Sequence, residues 1–132
     1  MKQLILLLII TFSLSTFAEE SLKDTMKQMG KIFKALGISA VDPKQNAQSA
    51  QATEKLVALI DKATKQPPDI IDTLPDDQKK TAKDDYNRMI NQELDAAKAL
   101  HQAFLKNDNA TAVKILKQMA QTKQEGHEEF NN

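Results

Sequence analysis

The sequence predicts an all-α protein, an antiparallel four-helix bundle with up-down-up-down topology. Its composition disfavours β structure, because aromatic residues make up only 5% of the 132 residues while Ala, Leu, Lys, Gln and Glu are frequent. Four stretches carry apolar residues at the three- and four-residue spacing of amphipathic helices, and none gives a strong strand signal. The connections between these stretches are mostly short, which makes consecutive helices antiparallel neighbours.

Residues 1–18 have the features of a secretory signal peptide. Lys2 supplies the positive charge, an apolar run follows it, and Thr16 and Ala18 have the spacing of a small-residue cleavage site. The apolar run is too short for a stable membrane span. We therefore expect cleavage after Ala18, and a periplasmic protein in which residues 19–132 form a single domain with no membrane attachment. A retained N-terminal anchor is the alternative.

The lack of cysteine and the balance of charges exclude several classes of function. Without cysteine the chain has no disulfide, no thiolate chemistry, no Cys-ligated zinc or iron–sulfur site, and no covalent haem attachment. The full chain has 18 basic and 18 acidic residues, so loss of Lys2 with the signal leaves 17 basic residues. A near-neutral surface offers no basic patch for phosphates, and nucleic acid is not an expected partner.

The first predicted helix covers residues 21–36. Ser21 and Asp24 have the spacing of a capping box, and Gly37 is predicted as the C′ residue that ends the helix. Its apolar stripe consists of Leu22, Met26, Met29, Phe33 and Leu36. Methionine in such a stripe is usually a core residue, so the pattern alone does not make either methionine a ligand.

The second predicted helix begins at Asp42 and Pro43 and ends near Thr64, since Pro67-Pro68 cannot continue it. Small residues dominate the first half of its stripe, which allows either a close neighbouring helix or space for another group. The stripe consists of Ala47, Ala50, Thr53, Val57 and Ile60.

The connection of residues 66–74 is unusually apolar for a loop. Its side chains are predicted either to cover a site at that end of the bundle or simply to cap the bundle; they are Ile70, Ile71 and Leu74. The third predicted helix opens at Pro75 and runs close to Lys106. Its stripe consists of Tyr86, Ile90, Leu94, Ala97, Leu100 and Phe104. A turn at residues 107–109 follows, and Asn109, which begins a glycosylation sequon, is interpreted as a helix cap.

The fourth predicted helix starts at Ala110, and its apolar side leads to a histidine. The stripe consists of Val113, Leu116, Ala120, Lys123, His127 and Phe130. A lone histidine on a buried face is usually hydrogen-bonded to a neighbour rather than bound to a metal. In the predicted topology, however, the start of the first helix lies beside the end of the fourth, which places Met26 and His127 at similar depth.

A thioether and an imidazole that face each other across an apolar slot suit the two axial positions of a haem. A mononuclear zinc or copper site would need further histidines or carboxylates on the inward stripes. The other histidine, His101, lies late in the third helix, at the opposite end of the bundle, and is expected at the boundary or surface.

The sequence resembles the cytochrome b562 family over nearly all of residues 19–132. The resemblance includes residues 21–26, the Ala63-Thr64 pair followed by Pro67-Pro68, the segment 83–86, and the fourth helix as far as His127. It implies a noncovalently bound haem b with Met26 and His127 as axial iron ligands. It further implies that Tyr86 packs against the haem and that Lys123, where the family often has Arg, lies near a propionate. Met29, one turn deeper, is the rival ligand to Met26.

The leading hypothesis is a periplasmic b-type cytochrome that carries single electrons. Two side chains as axial ligands leave little room for oxygen or substrate at the iron, so no enzymatic activity is expected. Its partners would be haem and redox proteins that the sequence does not identify, and it is expected to be a monomer. The second hypothesis is a haem-free helical bundle with an interaction or chaperone-like role. An enzyme ranks third, because no nucleophile–base pair stands out.

Overall fold

The computed structural model describes residues 20–130, so the predicted signal peptide lies outside the described residues. Between residues 20 and 130 the chain forms four α-helices and no strand, which confirms the predicted all-α bundle. The helices are α1 (Leu22–Ser39), α2 (Asn46–Ala63), α3 (Asp76–Leu105) and α4 (Asn109–Phe130). Short 3₁₀ turns lie at Pro43–Gln45 and Asp69–Thr73. None of these helices combines the length and apolarity needed to cross a membrane.

Helix α1 begins as predicted but ends later. The backbone N–H of Asp24 donates to Ser21 Oγ at 3.2 Å, and Ser21 Oγ donates to the Asp24 carboxylate at 2.8 Å, which confirms the cap. The prediction that Gly37 ends the helix is wrong, because the helix continues to Ser39. Ser39 Oγ lies 2.8 Å from Ser49 Oγ of α2, and this hydrogen bond holds the additional turn against its neighbour.

Helix α2 starts through a 3₁₀ turn in which Asp42 accepts from the N–H of Lys44 at 3.0 Å. The predicted small stripe is only partly correct, since Ala47 is exposed while Ala50 and Thr53 are buried. The polar residues Asn46 and Ser49 are also buried on this face.

A network of asparagine side chains closes the bundle at the end where α4 begins. Asn46 and Asn109 exchange hydrogen bonds at 2.8 and 3.0 Å, and Asn46 also donates to Asn107 at 3.0 Å. Asn109 further donates to the carbonyl of Ala40 at 2.7 Å. The interpretation of Asn109 as the cap is wrong: Asp108 accepts from the N–H of Thr111 at 3.0 Å, which leaves the Asn109 amide to join α4 to the α1–α2 connection.

All the residues of the predicted α3 stripe are buried, whereas the predicted stripes of α1, α2 and α4 are fully buried only in part. The largest fully buried apolar side chains are Leu36, Leu56, Ile60, Leu100, Phe104 and Met119. In α4 the prediction placed Ala120 inward, whereas Ala120 is exposed and Ile115 and Met119 are buried. These larger side chains bury more apolar surface than Ala120 would, and this difference sets the rotation of the helix.

Helices α1 and α4 pack much less closely against each other than the three pairs of helices that are consecutive in the chain. The start of α1, the end of α4 and the α2–α3 connection all lie at the same end of the bundle. In that connection Ile71 is buried and Ile70 and Leu74 are partly buried. This end is therefore the least filled part of the interior.

Candidate haem site

A cavity of about 1440 Å³ occupies the end of the bundle where α1 begins and α4 ends. All four helices and the α2–α3 connection contribute to its walls. Because the cavity lies where α1 and α4 would otherwise meet, it accounts for their sparse packing. Of the three apolar residues of the connection that were predicted to cover a site or cap the bundle, Ile70 lines the cavity, whereas Ile71 and Leu74 are not among its lining residues.

The four residues predicted for the site all line this one cavity: Met26, Tyr86, Lys123 and His127. Met29, the rival of Met26, lines it as well, and both methionines are partly buried. His127 is exposed, so the expectation that it lies on the buried side of α4 is wrong. It lines the cavity from the exposed side of α4, at the rim.

His101 lies elsewhere, on the α2–α3 face. Its Nε2 atom is 3.2 Å from a carboxylate oxygen of Glu54, without the alignment of a hydrogen bond. The side chain is 20% exposed, in agreement with the predicted boundary position. Within residues 20–130 no group of three or more His, Cys, Asp or Glu side chains is arranged to hold a metal ion.

The start of α1, which carries Met26, is fastened to the α2–α3 connection by polar contacts. The fully buried hydroxyl of Thr25 donates to Gln66 Oε1 at 3.1 Å, and Gln66 Nε2 donates to the Glu20 carbonyl at 2.6 Å. The Glu20 carboxylate in turn pairs with Lys62 of α2. These bonds fix the backbone immediately beside Met26.

Tyr86 forms a fixed wall of the cavity. Its hydroxyl donates to the Ala63 carbonyl at 2.8 Å, and burial raises the pKa of Tyr86 to about 12, so the phenol stays neutral. The ring meets Phe130 edge-on, with the ring centroids 5.7 Å apart and the planes at 88°. Tyr86 and Phe130 thereby join α3 to the end of α4 through an apolar contact.

Lys123 reaches from α4 across to α1. Its Nζ atom lies 5.6 Å from the centroid of the Phe33 ring, within the range of a cation–π contact. A Cβ atom built on Gly30 would lie 4.0 Å from the same Nζ atom, so the amine lies beside the backbone of α1. Lys123 was predicted on the inward stripe of α4, but it is exposed, so its positive charge lies at the rim of the cavity.

Glu93 is a cavity residue that the sequence analysis did not identify. It lines the cavity, is partly buried, and has its pKa raised to about 7 by burial, an effect that the nearby positive charge of Lys123 opposes. Its position in the sequence does contain a signal, because it lies three residues after Ile90 and seven after Tyr86 on the inward face of α3. Glutamate is rare on the inward face of a helix, so a carboxyl group at this position marks a candidate functional residue.

The cavity combines apolar and aromatic walls with a soft sulfur donor on α1, an imidazole on α4 and a lysine amine. Thioether and imidazole are established axial ligands of haem iron, apolar walls suit a flat macrocycle, and an amine suits a carboxylate. The donor chemistry of Met26, His127 and Lys123 therefore fits a haem with propionate groups.

Comparison with known proteins agrees with this chemistry. The family model of cytochrome b562 matches residues 21–131. No curated protein and no solved structure matched the chain significantly. The match extends over all four helices and every cavity residue discussed above. The chain belongs to the cytochrome b562 family.

Proposed function

We propose that this protein is a periplasmic electron carrier that binds one noncovalent haem b, with Met26 and His127 as the axial ligands of the iron. Membership in the cytochrome b562 family implies a haem-binding, electron-transfer bundle rather than an enzyme. The observation that carries the ligand assignment is that the Met26 thioether and the His127 imidazole, from opposite ends of the chain, lie on the walls of a single cavity.

The bound haem would supply one-electron chemistry of its iron. The chain contributes two neutral ligands, and a thioether ligand raises the reduction potential relative to ligation by two histidines. If Met26 and His127 both held the haem, they would leave little room for oxygen or substrate, and electron transfer would be favoured over oxygen activation.

Tyr86 and Lys123 have supporting roles in this proposal. Tyr86, held by its bond to the Ala63 carbonyl, provides a rigid apolar surface against one part of the haem. Lys123 would provide the cation for a haem propionate, and its contact with Phe33 places the amine at the rim of the cavity. Redox partners would be other proteins, and we propose a monomer that is exported by residues 1–18 and has no membrane attachment after cleavage.

A titration of residues 19–132 with haemin, followed by reduction, tests the proposal. We expect saturable uptake of one haem per chain and the sharp visible spectrum of six-coordinate, low-spin iron. Met26→Ala and His127→Ala should each lose the low-spin spectrum. The matched controls are Met29→Ala, which removes the second cavity methionine of α1, and His101→Ala, which removes a histidine remote from the cavity; both should keep the low-spin spectrum. Absence of saturable uptake by the wild-type protein would refute the proposal.

A further inference from the structure

Glu93 places a carboxyl group on the wall of the cavity proposed for haem. We propose that Glu93 is a proton-binding site coupled to the redox state of the haem, so that it takes up a proton when the protein is reduced and releases it on oxidation. The inference rests on the proposed function, because it requires a redox-active group in the cavity. It adds a second activity, redox-linked proton uptake, to the proposed electron transfer.

The geometry places Glu93 among apolar side chains rather than at the solvent face of α3. Met89 and Ile90, which lie one helical turn before Glu93 on the same face of α3, are buried and line the same cavity. In the part of the chain that the structure describes, the Glu93 carboxyl has no hydrogen bond and no close ion pair. Lys123 of α4 is the charged group that acts on it from a distance. A carboxylate without direct partners in such a place responds strongly to any change of charge nearby.

Several other charged or titratable groups face the same cavity. Helix α1 contributes Lys23 and Lys27, α4 contributes Lys123 and His127, and the α2–α3 connection contributes Lys65 and Asp69. Glu20, before α1, also lines the cavity but is paired with Lys62. Glu93 is the carboxyl group that α3 adds to this set.

The sign of the coupling follows from Coulomb's law. Reduction of a bound haem would add one electron from a donor and would lower the positive charge in the cavity by one unit. The Glu93 carboxylate then loses part of the attraction that favours its ionised form, and it takes one proton from water to become a carboxylic acid. Oxidation returns the electron to an acceptor and the proton to water. The balance needs no reactant beyond the redox partner and solvent.

Redox titrations of the haem-loaded protein between pH 5 and pH 9 test the coupling. We expect the midpoint potential of the wild-type protein to fall as pH rises through the neutral range. A tenfold difference in the proton affinity of Glu93 between the two redox states corresponds to 59 mV between the acid and alkaline limits. In Glu93→Gln that fall should be lost, whereas the matched control Asp95→Asn, an exposed carboxylate two residues further along α3, should keep it.

A second variant shifts the effect without removing it. Lys123→Gln takes away the positive charge that favours the Glu93 carboxylate, so the pH-dependent segment should move to higher pH. The same pH dependence in wild type and Glu93→Gln would overturn the inference, since another group, such as a haem propionate, would then carry it. If Glu93→Gln fails to fold, NMR of haem-free Lys123→Gln decides the question, because no propionate is present: a glutamate carboxyl that titrates at higher pH than in wild type supports the inference, and an unchanged titration overturns it.

NMR of the haem-free protein supplies a readout that does not depend on redox activity. With ¹³C-labelled glutamate side chains, one carboxyl resonance should titrate near neutral pH and should be missing in Glu93→Gln. Failure of haem uptake together with that titration would refute the electron-carrier proposal, and the redox coupling with it, while leaving Glu93 as an isolated titratable group. Low-spin haem uptake with a midpoint potential that does not vary across the neutral range would overturn the coupling alone.

Discussion

The burial of Glu93 predicts a pH-dependent cost to the stability of the haem-free protein. Burial raises the pKa of this carboxyl from 4.5 to about 7. At 1.36 kcal/mol per pKa unit, the shift corresponds to about 3 kcal/mol of destabilisation when the group is ionised. Because the folded state holds the proton more tightly than the unfolded state, the cost is absent below pH 4.5. It grows between pH 4.5 and pH 7 and is complete above pH 7.

Substitution of Glu93 by Gln removes the titration at nearly constant volume. We expect Glu93→Gln and the wild type to have similar free energies of unfolding at pH 4.5. At pH 8 the free energy of unfolding of the variant should exceed that of the wild type by about 3 kcal/mol. Urea denaturation followed by circular dichroism at both pH values measures the difference. Asp95→Asn is the control, because an exposed carboxylate should show no comparable change. A difference between Glu93→Gln and wild type that does not vary with pH would refute the reasoning.

Three further substitutions test other contacts. Tyr86→Phe removes the hydroxyl that bonds to the Ala63 carbonyl, and thermal and urea denaturation should show a loss of about 1 kcal/mol with the ring packing retained. Asn46→Ala breaks the buried amide network and should cost about 1–3 kcal/mol in the same assay; a change below 0.5 kcal/mol would contradict this. Gly126→Ala should stabilise the protein by about 1 kcal/mol, because alanine has a higher helix propensity than glycine. The new Cβ atom would lie 3.4 Å from the terminal methyl of Met89, an ordinary contact, and a lower Tm would count against the prediction.

The local features of the sequence, its helical periodicity and its helix-end residues, predicted most of the fold correctly. Ser21 caps α1, Pro75 directly precedes α3, and helix α2 ends at Ala63, one residue before the predicted position. These features depend on local chemistry, in which a side chain acts on backbone groups a few residues away. The predicted site residues also share one cavity, because α1 and α4 run antiparallel at the same end of the bundle.

The errors arise where contacts between distant segments decide the outcome. Gly37 has the local character of a helix end, yet a bond between Ser39 and Ser49 of another helix carries α1 further. The rotation of α4 depends on whether Met119 or Ala120 fills the core, which helical spacing alone does not decide. Glu93 was overlooked for a related reason: a carboxyl group on an apolar stripe becomes significant only once a cavity is known beside it.

Proton NMR of the reduced, haem-loaded protein tests the central proposal most directly. A methionine methyl group on the iron lies over the porphyrin ring, so its resonance should appear far upfield of all ordinary methyl signals. We predict one such resonance in the wild type and in Met29→Ala, and its loss in Met26→Ala. Its absence from the wild type, or its loss in Met29→Ala but not in Met26→Ala, would contradict the assignment of Met26 as the ligand that faces His127.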